Sequence, residues 1–402
     1  MKKYIISLVE EVENEESAQS LLFDAGIKRS FSVRAQGETG AAEATEEEFV
    51  FLDKVGLLIA VLTEEEKESV EKSSTVLAVE EDIEVRAHGV VPASDPVVHH
   101  PGGGVRWNMD MIRADWVWHS GSFGSGVKVA ILDTGIAAHV NLRTYGGTSF
   151  IPSEPDFRDG HGHGTHCAGI VAGKGRNDVF GVAFGAELYA VKVLDRTGSG
   201  SSSGVVSGMD WCISAGMNVV SMSLGSPRPP RASYANAIRR CQSRGIVVVC
   251  SAGNGFNSGF PWVGSPANSF IVGDPLGSPI AVASVDSHKG IAFDSSRGTN
   301  GANWNPVTVA APGVSILSTF LNGAYARLSG TSMACPHVSG LAALIIESNP
   351  GISVQIVKAL MTLNTEQLGA QPIPNDPYGH GLIDCAASVG VVTVRKAEDV
   401  AG

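Results

Sequence analysis

Apolar and polar positions follow two different rhythms along this chain. In the first 88 residues the apolar runs are short and separated by acid-rich stretches. Lys3–Val9, Glu48–Leu52 and Val55–Leu62 read as strands. Glu15–Ala25 reads as a helix, with Ala18, Leu21 and Leu22 at helical spacing ahead of Gly26. Thr63 before Glu64–Ser69 is a capped acidic helix start, and Val76–Val79 with Ile83–Val85 supplies a last strand. The predicted order is β-α-β-β-α-β, a small α+β split-βαβ unit, with Gly37–Thr45 as a loop inside it. Farther on, Val127–Leu132, Leu188–Leu194, Val219–Ser223, Ile246–Cys250 and Ile280–Ser284 are nearly continuous apolar runs, the pattern of strands covered on both faces. Gly164–Ala172, Val205–Ala215 and Ala232–Arg244 lie between them as helices. This alternation predicts an α/β fold, a mainly parallel sheet with helices on both faces. Gly89–Val105, rich in Pro and Gly, has the composition of an exposed linker. The expected units are therefore 1–88, 89–105 and 106–402.

Composition and charge narrow the functions. The chain has 402 residues, 43% hydrophobic and 17% charged, with 48 Gly, which excludes a mainly disordered polymer. The net charge of −12 resides entirely in residues 1–88, which hold 9 basic and 21 acidic side chains. Residues 89–402 balance to zero, so the two parts are built for different tasks. Neither part is basic, which argues against nucleic acid and anionic membranes as partners. No run of 18 apolar residues exists, so no transmembrane helix is expected. Met1–Val9 is too short for a signal-peptide core, which leaves an intracellular protein or an export signal outside this sequence. The six cysteines, at 167, 212, 241, 250, 335 and 385, suggest neither a disulfide scaffold nor a CxxC zinc site.

Three segments place reactive side chains at a strand end or a helix start. Val127–Leu132 runs into Asp133-Thr134-Gly135, where the carboxylate is either a turn cap or a functional acid. Asp159-Gly160-His161-Gly162-His163-Gly164-Thr165-His166 sets three histidines among glycines, either as a polar loop or, through His161-x-His163, as a zinc chelate. Ser329-Gly330-Thr331-Ser332 precedes Pro336 and the helical run Val338–Ile346. Ser332 is thereby expected at or just before a helix N-terminus, as a cap or as a nucleophile.

Taken together, these segments resemble the three signatures of the subtilisin-like serine proteases, in the chain order Asp, His, Ser. Tyr189–Leu194, Ser221–Gly225, Ser251–Asn254 and Ala311–Val314 resemble four further family stretches, and the likeness runs from about residue 106 to about 390. It implies a serine endopeptidase with Ser332 as nucleophile, His163 as the base rather than His161 or His166, Asp133 as its partner and Asn254 as oxyanion donor. Gly198-Ser199-Gly200 and Ser223-Leu224-Gly225 would flank an extended peptide, and Ser251-Ala252-Gly253 would line a first specificity pocket with a broad, apolar-leaning preference. The front unit resembles the family's inhibitory propeptide, chiefly through Val79-Glu80-Glu81-Asp82. Its tail, Val85–His88, would lie in the cleft as a self-cleaved product, with the cut near His88–Gly89 inside a window from Val85 to Val105. Proteins and peptides are the implied substrates, and the propeptide is the implied inhibitor. A monomer, export from the cell and no catalytic cofactor are also implied. Structural calcium belongs to the family, yet Asn141 stands where many members carry a calcium-binding Asp, and Gly173–Phe180 does not match the calcium loop, so no metal ligand is assigned. Cys167, close in sequence to His163, is either mercurial-sensitive or a buried inert thiol. The competing readings are a catalytically silent peptide-binding relative and a zinc hydrolase.

Overall fold

In the small front unit, strand and helix alternate as the short apolar runs dictate. Its elements are β1 (Lys2–Leu8), α1 (Glu15–Asp24), β2 (Ser30–Val33), β3 (Glu48–Leu52), β4 (Leu57–Leu62), α2 (Glu64–Glu71) and β5 (Val76–Glu81). The computed structural model describes residues 1–9, 14–27, 30–33, 44, 46, 48–88, 91–92, 106–298, 306–370 and 373–391. The loop expected at Gly37–Thr45 and most of the linker expected at Gly89–Val105 lie outside these residues. The front sheet has the order β2-β3-β4-β1-β5. Side chains alternate across it with a period of two. Tyr4, Ile6 and Leu8 pack with Leu21, Leu22 and Val70 of the unit's own helices. Ile5, Val50, Leu52, Leu57 and Ile59 face the other way and merge with the core of the rest of the chain.

The front unit departs from the expected order in two places. An extra strand, β2, pairs in parallel with β3. Ser30–Val33 is only four residues long and half serine, too little pattern to announce a strand. Residues after Asp82 also leave the front sheet. The next strand, β6 (Glu84–Ala87), inserts antiparallel between two strands of the larger unit, and β7 (Val91–Pro92) pairs with a third.

The larger unit continues through α3 (Trp107–Met111), α4 (Ala114–His119), β8 (Lys128–Asp133), β9 (Thr144–Ser149), α5 (His163–Ala172), β10 (Glu187–Lys192), β11 (Ser199–Ser201) and α6 (Ser202–Ser214). Then follow β12 (Val219–Met222), β13 (Leu224–Gly225), α7 (Ala232–Ser243), β14 (Val247–Ser251), β15 (Ile280–Val285), β16 (Val307–Pro312), β17 (Ile316–Thr319) and β18 (Tyr325–Ser329). The chain closes with α8 (Thr331–Ser348), α9 (Val354–Leu363), β19 (Thr365–Glu366), β20 (Leu382–Ile383) and α10 (Cys385–Val389). Nine strands form the central sheet in the order β19-β20-β16-β15-β14-β12-β8-β10-β9, parallel throughout except for the β19–β20 edge. Every residue of β12, β14 and β15 is buried, as the continuous apolar runs require. No helix among the described residues is long and apolar enough to cross a membrane.

Helix α8 begins seven residues before the apolar run that announced it, so Pro336 lies inside it. Proline has no N–H for the carbonyl four residues back. That carbonyl belongs to Ser332, and it accepts instead from Ser223 Oγ at 2.9 Å and Cys167 Sγ at 3.5 Å. Residues 331–345 are buried on every side, which marks α8 as a central helix.

Candidate active site

In an open parallel sheet the carboxyl ends of the strands line a crevice. Asp133 is the last residue of β8, Ser223 follows β12, and Ser251–Asn254 closes and follows β14. His163 is the first residue of α5, and Ser332 is the second of α8, where backbone N–H groups lack helical partners.

His163 Nδ1 lies 2.7 Å from Asp133 Oδ1 and 2.9 Å from Oδ2, and both residues are fully buried. Burial opposes a charge on this imidazole. The Asp133 carboxylate and its hydrogen bond, with Asp159 behind them, outweigh burial and hold His163 above its ordinary pKa. The Thr134 N–H also donates to Asp133 Oδ1 at 2.7 Å. His163 Nε2 is buried and has no hydrogen-bond partner among the described residues. Ser332 Oγ is turned away from it, toward the carbonyls of Ser223 (3.1 Å) and His88 (3.4 Å).

The other two histidines of the motif are placed differently. His166 Nε2 faces the carbonyls of Ile316 and Ala326 at 3.1 and 3.0 Å, and burial drives it down to about 3. His161 lines the cleft, and its ring centroid is 6.2 Å from that of His163. Asp133, His163 and Cys167 bring their polar atoms within 4.8 Å of one another, a cluster that leaves out His161 and so does not reproduce the His161-x-His163 chelate. All six cysteines are free and buried, and burial raises the Cys167 thiol far above its ordinary value, the condition of an inert thiol.

The oxygen end of Asn254 is held by Thr331. Its Oδ1 accepts from Thr331 N–H and Thr331 Oγ1, each at 2.9 Å. Because a backbone N–H only donates, this bond fixes which end of the amide is oxygen. Gly330 makes the close approach possible: at φ +141 a Cβ there would fall 2.6 Å from Asn254 Nδ2.

The tail of the front unit fills the cleft. β6 pairs with Ser199–Ser201 on one side and with Leu224–Gly225 on the other. The Ala87 N–H donates to Gly198 O at 2.9 Å, and that of His88 to Ser223 O at 3.5 Å. The His88 ring points at Ser251, Nδ1 to Oγ 2.7 Å. A Cβ on Gly225 would lie 2.5 Å from His88 Nε2, so only glycine leaves room for that ring. A cavity of about 460 Å³ opens beside it, with Gly225, Gly253, Phe260 and Trp262 in its wall and, among the larger unit's lining residues, no carboxylate, Lys or Arg. On the far side of residues 89–90, Val91–Pro92 pairs with Leu328–Ser329, just ahead of Ser332.

Acidic residues fasten the front unit to the larger one. Glu80 accepts from the N–H groups of Ala232 and Ser233 at the start of α7, at 3.1 and 2.8 Å. Asp82 accepts from Ser202 Oγ, Ser203 N–H and Ser203 Oγ at the start of α6, at 2.7, 2.8 and 2.6 Å. Each carboxylate meets the positive end of a helix and satisfies donors that the helix leaves open. The sequence motif around Ser332 included Gly330 and Thr331 but gave them no role, and no pattern singled out Asp210, whose Oδ1 accepts from Lys54 and Val55 N–H at 2.9 and 3.1 Å.

The cleft at the strand ends thus holds an Asp–His pair, a helix-start serine and a peptide strand. Residues 124–381 match the subtilase family, and the chain belongs to it. The protein is a subtilisin-like serine endopeptidase acting on proteins and peptides. It is 35% identical over 362 residues to the thermostable alkaline protease of Halalkalibacterium halodurans, covering 89% of this chain and 91% of that protein. It is 42% identical over 286 residues to Subtilisin Savinase of Lederbergia lenta, covering 71% of this chain and 98% of that protein. To the alkaline elastase YaB of a Bacillus species it is 34% identical over 389 residues, 96% of this chain and 91% of that protein.

Proposed function

We propose that the chain is the precursor of a self-processing endopeptidase, in which residues 1–88 fold with and inhibit the catalytic unit 106–402 and the linker at 89–105 joins them. The observation that carries this reading is the His88 carbonyl, 3.4 Å from Ser332 Oγ, with peptide strands paired on both sides of that point.

The chemistry follows from the atoms present. Ser332 Oγ turns from Ser223 O to the unpartnered His163 Nε2, gives up its proton and bonds to the carbonyl carbon. Asp133 keeps the other imidazole proton on Nδ1 and stabilises the charge that forms. The carbonyl oxygen becomes an anion facing the Ser332 N–H and Asn254 Nδ2. His163 passes its proton to the leaving amine, the carbon–nitrogen bond breaks, and water hydrolyses the acyl-enzyme. Substrates bind as a strand between Ser199–Ser201 and Leu224–Gly225. The glycine- and aromatic-walled pocket near Ser251-Ala252-Gly253 favours apolar side chains over a wide range. A fluorophosphonate probe is expected to label the processed wild type and not Ser332→Ala. Equal labelling of both removes the serine assignment, and no labelling of either supports a silent peptide-binding relative.

The front unit would act as a folding aid because the sheet pairs strands far apart in sequence, a slow step. Its hold should be acid-sensitive. Burial and the neighbouring His163 push His88 from 6.5 down to about 4, with Asp133 partly opposing. The docked tail thus prefers neutral His88; its stabilisation is complete above 6.5 and is lost as pH falls from 6.5 toward 4. After processing, the cleaved complex is expected to dissociate increasingly between pH 7 and 5 in size-exclusion runs. His88→Gln should flatten that dependence.

Structural calcium does not fit the loop 173–180. Asn141 Nδ2 donates to Val179 O at 2.8 Å, and Arg106 donates to Asp178 O and Asn177 O, each at 3.1 Å. Calcium needs six to eight oxygen ligands, whereas an amide NH₂ and a guanidinium already bond these carbonyls. Arg106→Ala, which removes the guanidinium from those two carbonyls, should lower the melting temperature by about 2–4 °C. Export and a monomeric state are the family's expectations for this chain.

A further inference from the structure

We propose that Asp159 is a positioning residue for the Asp133–His163 pair: it locks the strand end that carries the acid to the helix start that carries the base, and sets a fixed negative charge behind the imidazole. The proposal rests on the reading of Asp133, His163 and Ser332 as the catalytic triad.

Asp159 is 8% exposed, and five donors converge on its carboxylate. Oδ1 accepts from Thr134 Oγ1 at 2.9 Å and from the N–H groups of His161 and Gly162 at 2.8 Å each. Oδ2 accepts from Thr165 N–H at 2.9 Å and Thr165 Oγ1 at 2.6 Å. Thr134 directly follows Asp133, and its hydroxyl in turn accepts from Gly164 N–H, next to His163, at 2.9 Å. A single side chain thus ties the end of β8 to the first turn of α5. Each oxygen meets only donors, so asparagine in either orientation would turn an NH₂ against another donor. The charge also lies at the N-terminus of α5, where the helix favours it.

Titratable groups from several elements surround His163, with His166, just short of one turn along its own helix, among them. Asp133 comes from β8. Asp159 and His161 come from the loop before α5. His88 belongs to the tail, Cys167 lies one turn along α5, and Lys192 on β10 donates to Thr134 O at 2.7 Å. After burial, which disfavours the imidazolium, Asp133 and then Asp159 favour it. Above the pH at which the resting His163 titrates, the imidazolium forms only while the serine proton is in transit. Removing Asp159 should thus act on kcat rather than on substrate binding.

The test is steady-state kinetics of processed enzyme across pH on a short peptide amide. Asp159→Asn is expected to lower kcat about tenfold to hundredfold with KM nearly unchanged, and to move the acid limb of kcat/KM to lower pH. Thr134→Val keeps the charge but cuts the tie. It should lower kcat without moving that limb, and Thr134→Ser should restore it. Wild-type kcat and an unmoved limb in Asp159→Asn overturn the proposal. If Asp159→Asn does not mature, a Thr134→Val enzyme with wild-type kcat overturns it instead. Ser332→Ala separates the two readings: activity surviving in it defeats the triad itself, whereas an inactive Ser332→Ala beside an unaffected Asp159→Asn defeats only the role of Asp159.

Discussion

Ser332→Ala is expected to accumulate as an intact chain of 402 residues, with the front unit still attached, and to lose about 10⁶-fold in kcat, the magnitude known for subtilisin. The tail places the His88 carbonyl oxygen 3.4 Å from the serine hydroxyl. Alanine removes the atom expected to form the ester, while β6 keeps its pairing on both sides. The docked acids Glu80 and Asp82 keep their helix ends, so the variant should fold and remain closed. Intact-mass measurement decides the matter. Loss of a fragment ending near His88 from purified Ser332→Ala, without added protease, would show that another agent makes the cut.

Asn254→Ala should lower kcat by about 10²–10³-fold with little change in KM, again a magnitude measured on subtilisin. Two donors of Thr331 fix which end of the amide is oxygen. Its NH₂ end therefore stays in place before any charge develops, which costs no reorganisation in the transition state. Thr331→Val keeps the backbone donor and loses the hydroxyl, so a loss of about fivefold to tenfold is expected. Equal kcat in wild type and Asn254→Ala would mean that the developing anion is stabilised elsewhere.

Much of the fold was legible along the chain because buried parallel strands leave a direct trace. The apolar runs at Val127–Leu132, Val219–Ser223, Ile246–Cys250 and Ile280–Ser284 fall within a residue or two of β8, β12, β14 and β15. The acidic bias of the front unit was also visible, although its use was not: two of those acids cap helices that begin at Ser202 and Ala232, some 120 to 150 residues away. The strand at Ser30–Val33 left no trace, because four residues carry too little alternation. The helix start was legible through Pro336, which put Ser332 at or just before an N-terminus; Ser332 is the second residue of α8, and Ser223 from another element takes up the carbonyl that the proline leaves open.

Local order thus came from the periodicity of side chains, and family membership from short motifs that can be read one at a time. Neither carries distances between segments. His163 meets Asp133 while His166 turns to the carbonyls of Ile316 and Ala326, because β8 and α5 are set against each other by the whole sheet. His88 reaches Ser332, and Asp159 gathers donors from both β8 and α5, for the same reason. Convergence of groups remote in sequence is a property of strand register and helix packing, which only the assembled tertiary structure possesses.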